Sequence, residues 1–151
     1  MKTILIIESN LEIRENLTEL LELNGFATLS TDSVVEAIIL LNQCWVGMIL
    51  GNFKPNCEET KRLINFLQSR DNLSRISVVS MSSTPLKGEK QEVLNIGMDE
   101  YLVKPFSENE LIVSIKKALI YRAWKELKRC LRNNKNSYQA FHQSVPLFSL
   151  N

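Results

Sequence analysis

Four short segments of this chain carry side chains able to do chemistry: Glu8-Ser9-Asn10, Gly51-Asn52, Ser82-Ser83 and Lys104-Pro105. Between them they offer one carboxylate, several hydroxyls and one ammonium. Ser9, Ser80, Ser82 and Ser83 raise the question of hydrolysis, but a serine nucleophile needs a base to take its proton. The single histidine, His142, lies in the tail, outside the region that holds all four segments. A Ser-His-Asp arrangement is therefore disfavoured, and most zinc chemistry goes with it. The glycines at 25, 47, 51, 88 and 97 are scattered and build no phosphate-cradling loop, which argues against nucleotide binding of the Rossmann or Walker kind.

The elements that must position these segments alternate along the chain. Ile4 to Ile7 is short, apolar and β-branched, the mark of a strand buried on both faces. Ile13, Leu17, Leu20 and Leu21 then recur at helical spacing, and Asn24-Gly25 supplies a stop. Phe26 to Ser30 reads as a second strand. Val34 to Asn42 reads as a helix, capped by Asp32 or Ser33, with Glu36 placed for a capping box on Ser33. Strands follow at Val46 to Leu50, Ile76 to Met81 and Glu100 to Val103. Helices lie at Thr60 to Arg70, around Gln91 to Ile96, and from Ser107 to about Leu131. Five strands each followed by a helix predict an α/β fold with a parallel sheet covered on both faces. In such sheets the reactive groups sit at the carboxyl ends of the strands, where all four segments fall.

These places resemble the receiver domains of response regulators in two-component phosphorelay signalling, over about residues 2 to 121. The stretch Gly97-Met98-Asp99-Glu100-Tyr101-Leu102-Val103-Lys104-Pro105-Phe106 is similar to the family's G-A-D-D-Y-L-x-K-P-F nearly letter for letter. Ile6-Ile7-Glu8-Ser9-Asn10 resembles the strand that ends in the family's acidic pair, and Ser80-Met81-Ser82-Ser83 the strand that ends in its hydroxyl. In Met48-Ile49-Leu50-Gly51-Asn52-Phe53-Lys54-Pro55, the proline falls four residues after Gly51. That places Gly51 in the slot of the phosphoacceptor aspartate. The resemblance implies a flavodoxin-like (βα)5 fold with strand order 2-1-3-4-5 and an extended C-terminal helix.

The chemistry implied by the family is phosphoryl transfer to a carboxylate, assisted by Mg²⁺, a lysine and a hydroxyl. Three carboxylates normally gather there, because Mg²⁺ needs oxygen ligands of high charge to give up its own water. Here only Glu8 remains, with Ser9 and Gly51 in the other positions. The chain's three aspartates are Asp32, Asp71 and Asp99, and none can reach the end of the third strand in this order of elements. Shifting the register by one residue offers Asn52, an amide. The expectation is a pseudo-receiver, not an enzyme, with no metal and no cofactor. The alternatives are phosphorylation at an unconventional residue, or a small-molecule-binding flavodoxin-like domain. Ser82 and Tyr101 take the family's switch positions and, without phosphate, are expected to keep a static surface role. Lys104 either pairs with Glu8 or stands as a partly solvated inheritance, and Lys104-Pro105 resembles the family's cis peptide.

Past Leu119 the helix continues where a solitary domain would stop. Ile120, Trp124, Leu127 and Leu131 follow the 4-3-4 spacing of a coiled-coil seam, which predicts either a homodimer or packing back on the domain. Residues 116 to 135 hold eight Lys or Arg and one Glu. Such a helix is ordinarily a solvated face, so nucleic acid is disfavoured. Residues 137–151, including Ser137, Tyr138, Phe141, Ser144 and Pro146, resemble the opening of a PAS domain. The division expected is 1–121 receiver, 122–136 linker helix and 137–151 the incomplete start of a further domain, cut from a longer protein such as a sensor kinase or cyclic-dinucleotide enzyme. Partners are other domains of the same chain, a histidine kinase or an output domain. Net charge of +1, no apolar run near membrane length, and three widely spaced cysteines (Cys44, Cys57, Cys130) point to a cytoplasmic protein without membrane contact.

Overall fold

The structure, a computed structural model, describes residues 2–144. Five strands run parallel in the order β2-β1-β3-β4-β5: β1 Thr3–Ile7, β2 Ala27–Thr31, β3 Met48–Gly51, β4 Ser77–Ser82 and β5 Glu100–Val103. The helices are α1 Leu11–Leu23, α2 Val34–Gln43, α3 Glu58–Gln68, α4 Glu89–Asn95 and α5 Glu108–Ser144. This is the expected flavodoxin-like order.

Strand alternation divides the core into two. Ile4 and Ile6 of β1, Met48 and Leu50 of β3, and Val79 and Met81 of β4 face Leu17 and Leu21 of α1 and Leu111, Ile115 and Ala118 of α5. Leu5, Ile7, Ile49 and Val78 point the other way, into Ala37 and Leu41 of α2, Leu63 and Leu67 of α3, and Val93 of α4. Because the inner strands are apolar on both faces, a slip of one residue would still bury apolar side chains. The polar groups beyond the strand ends therefore matter to register.

Several boundaries depart from the sequence reading. β2 and β4 begin one residue later than expected, and β3 begins at Met48 and takes in Gly51 as its last residue. Ser33 caps α2 by accepting from the Glu36 amide, but the Glu36 carboxylate accepts from the Thr31 hydroxyl and does not return to Ser33. The reciprocal capping box stands at α5, where Ser107 Oγ accepts from the Glu110 amide and Glu110 Oε2 accepts from Ser107 N–H. α5 does not end near Leu131. Asn133 to Asn136 contain neither Gly nor Pro, and their weak helix propensity costs too little to break a running helix.

Candidate functional site

The register brings the four chemical segments to one end of the sheet. Ile7 pairs with Gly51, and Gly51 with Ser80, so Glu8 and the end of β3 are neighbours. Ser82 pairs with Val103, which sets Lys104 beside it, and the Lys104 amide donates to the Ser82 carbonyl at 2.8 Å. Lys104-Pro105 is cis. Asp99 lies at the opposite end, its backbone and carboxylate bonded to Val78, while Asp32 follows the outer strand β2.

At Gly51, where the resemblance places the phosphoacceptor, the glycine is enclosed. A Cβ on Gly51 would lie 2.6 Å from Phe53 Cζ and 2.9 Å from the Ile7 carbonyl oxygen. The buried Phe53 ring thus occupies the space in which any side chain at 51 would begin. Ser80 fixes that ring's backbone: Phe53 N–H donates to Ser80 Oγ at 3.2 Å, and the Ser80 hydroxyl donates to the Phe53 carbonyl at 3.1 Å. Both capacities of one buried hydroxyl are used.

Glu8 keeps little for a metal. One oxygen accepts from the Asn10 amide at 3.2 Å, and the other lies 3.9 Å from Lys104 Nζ. Arg14 donates to the Glu8 carbonyl at 2.7 Å, which places a second cation beside the same residue. A Mg²⁺ ion, the cofactor implied by the family, needs several hard oxygen ligands. One carboxylate flanked by an ammonium and a guanidinium, with only Ser9 and Gly51 where the resemblance expects further carboxylates, does not fit it.

The sequence reading overlooked Lys54 and Glu89, which hold the centre of the site. Lys54 Nζ reaches Ser82 Oγ at 3.1 Å, Glu89 Oε1 at 3.0 Å, and the carbonyl and hydroxyl oxygens of Thr84 at 3.2 Å. Ser82 donates to Glu89 Oε2 at 3.2 Å, and the Tyr101 hydroxyl donates to the same oxygen. Burial alone would raise the Glu89 carboxyl. The bonds from Tyr101 and Lys54 and the Lys54 charge outweigh it, so the group is held below the usual carboxylate value. Burial and the adjoining carboxylate push the Tyr101 phenol up. Ser82 is buried and Tyr101 half-buried, and both hydroxyls are bonded to Glu89. No periodic pattern marks Glu89. Its only signal is a carboxylate at the start of a short helix.

At the far end of the sheet Asp99 is clamped by α5. Its Oδ2 accepts from the Val78 amide at 2.8 Å and from Arg122 Nη2 at 2.9 Å, while Oδ1 faces the Lys125 ammonium at 2.7 Å, off the hydrogen-bonding angle. Arg122 also donates to the carbonyls of Ser74 and Gly97. With that face of α5 turned inward, Ile120, Trp124, Leu127 and Leu131 are left 48–70% exposed. They do not pack back on the domain.

Comparison with known proteins agrees with this fold. The family model of the response regulator receiver domain matches residues 4–116, and the chain belongs to that family. It is 30% identical over 115 residues to the phosphate regulon transcriptional regulatory protein PhoB of Escherichia coli, across 76% of this chain and 50% of that one. The chain thus spans about half the length of the curated relatives it matches. Among solved structures, the chemotaxis response regulator CheY4 of Vibrio cholerae superposes with a TM-score of 0.70 at 17% identity, covering 79% of this chain and 99% of that one. The receiver domain of a Pseudomonas aeruginosa sensor histidine kinase, with magnesium coordinated in its active site cleft, gives 0.67 at 19%, covering 78% and 97%.

Proposed function

We propose that this chain is a receiver-type signalling module of a two-component system that takes no phosphoryl group and works through protein–protein contacts. The carrying observation is the Phe53 ring lying where a side chain at Gly51 would start. A nucleophile is missing, the space for it is filled, and the remaining carboxylate, Glu8, is flanked by cations that disfavour Mg²⁺. Incubation with acetyl phosphate and Mg²⁺ followed by intact mass should leave the wild-type mass unchanged. A stoichiometric acyl-phosphate adduct would overturn the reading and favour phosphorylation at an unconventional residue.

The module is read as non-catalytic and cytoplasmic, joined to a further domain. PhoB carries a transcriptional regulatory name, but the part of that protein that matches is only its half. Residues 137–151 instead resemble a PAS opening; α5 extends through 137–144, and 145–151 lie outside the described residues. The contact surface we favour is the exposed seam of α5, with a second copy of the chain as its occupant. With Ile120 and Leu127 at d and Trp124 and Leu131 at a, the e positions are Tyr121, Lys128 and Lys135, and the g positions Ala123, Cys130 and Ser137. In a parallel pair each g faces the partner's next e, so each of these lysines meets an uncharged residue. In an antiparallel pair e faces e and the lysines repel. The pattern supports a parallel homodimer, with both following segments leaving on the same side.

A further inference from the structure

Glu89 is only 3% exposed, yet three donors from three separate elements converge on its carboxylate: the Lys54 ammonium after β3, the Ser82 hydroxyl ending β4 and the Tyr101 phenol of β5. Lys54 closes the ring by donating to Ser82 as well, and its remaining capacity goes to Thr84. Three of the donors that could grip an anion at this end of the sheet are thus turned on one internal carboxylate, while Lys104 faces Glu8. Carboxylates accept charge-assisted hydrogen bonds shorter and stronger than neutral acceptors do. A buried one surrounded by donors from different elements fixes those elements relative to one another.

We infer that Glu89 is a built-in anion, which draws Ser82 and Tyr101 inward and holds the start of α4 against β4 and β5, with Lys54 as its counter-cation. It engages both hydroxyls from within the chain, with no bound anion required. This rests on the reading that no phosphoryl group arrives, and it deepens that reading: the switch residues are engaged by the chain itself. The α4–β5 face is therefore presented in one arrangement under all phosphate conditions.

The test uses the full chain labelled with 3-fluorotyrosine, with the Tyr101 signal identified by its loss in Tyr101→Phe. In the wild type the Tyr101 signal should be single and unmoved by acetate or inorganic phosphate. In Glu89→Ala it should shift or split, and acetate should return it toward the wild-type position. Amide exchange of residues 82–89 should speed up by at least about tenfold, the scale of a single lost hydrogen bond where three are removed. Glu89→Gln keeps the side-chain shape and guards against a variant that fails to fold; it should show the same shift in smaller measure. A folded Glu89→Gln or Glu89→Ala protein with wild-type Tyr101 signal and exchange overturns the inference. Failure of the parent reading is separate: an acyl-phosphate adduct on the wild type would sink that reading, whatever the Tyr101 signal does.

Discussion

The Lys54 ammonium lies 3.0 Å from the Glu89 carboxylate, joining the loop after β3 to the first residue of α4 across 35 positions of sequence. The two sides of this pair are unequally wet: the Lys54 side chain is 37% exposed and that of Glu89 is 4%. The lysine thus gives up only part of its hydration, while the carboxylate gives up nearly all of its own and depends on its donors.

Replacing Lys54 by Met should accordingly cost stability through Glu89 more than through the lost attraction. The expected loss is about 1–2 kcal/mol, the scale of leaving a buried acceptor short of a partner, reduced for the solvent that reaches Lys54. Lys61, whose pair with Glu58 at 3.5 Å is exposed on both sides, is the control, and Lys61→Met should change stability by less than about 0.5 kcal/mol. Urea denaturation of the two variants measures the difference. Equal losses would mean that the Lys54 pair is an ordinary surface contact.

On the proposed reading, an aspartate placed at position 51 should not create phosphoryl chemistry. In Gly51→Asp the new Cβ meets the Phe53 ring at 2.6 Å and the neighbouring strand's Ile7 carbonyl at 2.9 Å. The ring can yield only by leaving a buried site, and the strand backbone can scarcely yield at all. Overpacking of this kind costs about 1–3 kcal/mol. Gly51→Asp combined with Ser9→Asp should be less stable than wild type and show no adduct by intact mass with acetyl phosphate and Mg²⁺. Adduct formation in the double variant would show that Phe53 is no obstacle.

Much of this arrangement was legible in the sequence, and the part that was not follows a pattern. The parallel sheet and the strand positions follow from apolar runs and turn residues, which act locally. The strand order and the place of Gly51 among Glu8, Ser82 and Lys104 are what the family resemblance implies. Lys54 and Glu89 escaped because their meaning depends on a contact between a loop and the start of a helix 35 positions away, and neither sits in a periodic pattern. Asp99 was visible as part of a motif, but its partners Arg122 and Lys125 looked like members of a basic helical face. The same charge count served to predict a solvated helix, although two of those cations are spent on a buried carboxylate.

The pH dependence of stability should carry both ends of the Glu89–Tyr101 bond. The folded state holds the Glu89 carboxyl below its ordinary value of 4.5, so it favours the charged form. That contribution is complete above about pH 4.5 and is lost as pH falls through the depressed folded value. Tyr101 is raised above its ordinary value of 10.0, so folding favours the neutral phenol. Its contribution is complete below about pH 10 and is lost as pH rises toward the raised folded value. Denaturation midpoints across pH should therefore fall on both sides of a plateau. Tyr101→Phe should flatten the alkaline fall and also weaken the acid one, because the Tyr101 bond is part of what lowers Glu89, and Glu89→Gln should reduce the acid fall. An alkaline limb unchanged in Tyr101→Phe would assign it to other groups.

The exposed seam of α5 supplies the last prediction. Trp124 and Leu127 are about half exposed in the single chain, and Lys128 lies over the Trp124 ring at 3.8 Å. A parallel pair would bury both apolar side chains from each copy, at about 25 cal/mol per Å² of apolar surface. Sedimentation of the full chain should show a concentration-dependent dimer, and Trp124→Ser with Leu127→Ser should make it monomeric without unfolding the receiver, because neither residue touches its core. Orientation follows from cysteine chemistry. With Cys44, Cys57 and Cys130 changed to Ser, a single Leu131→Cys should crosslink to itself under mild oxidation, since equivalent a positions meet only in a parallel, in-register pair. A dimer that forms yet resists this crosslink would be antiparallel, despite the repulsion between its lysines, and would send the following segments to opposite ends.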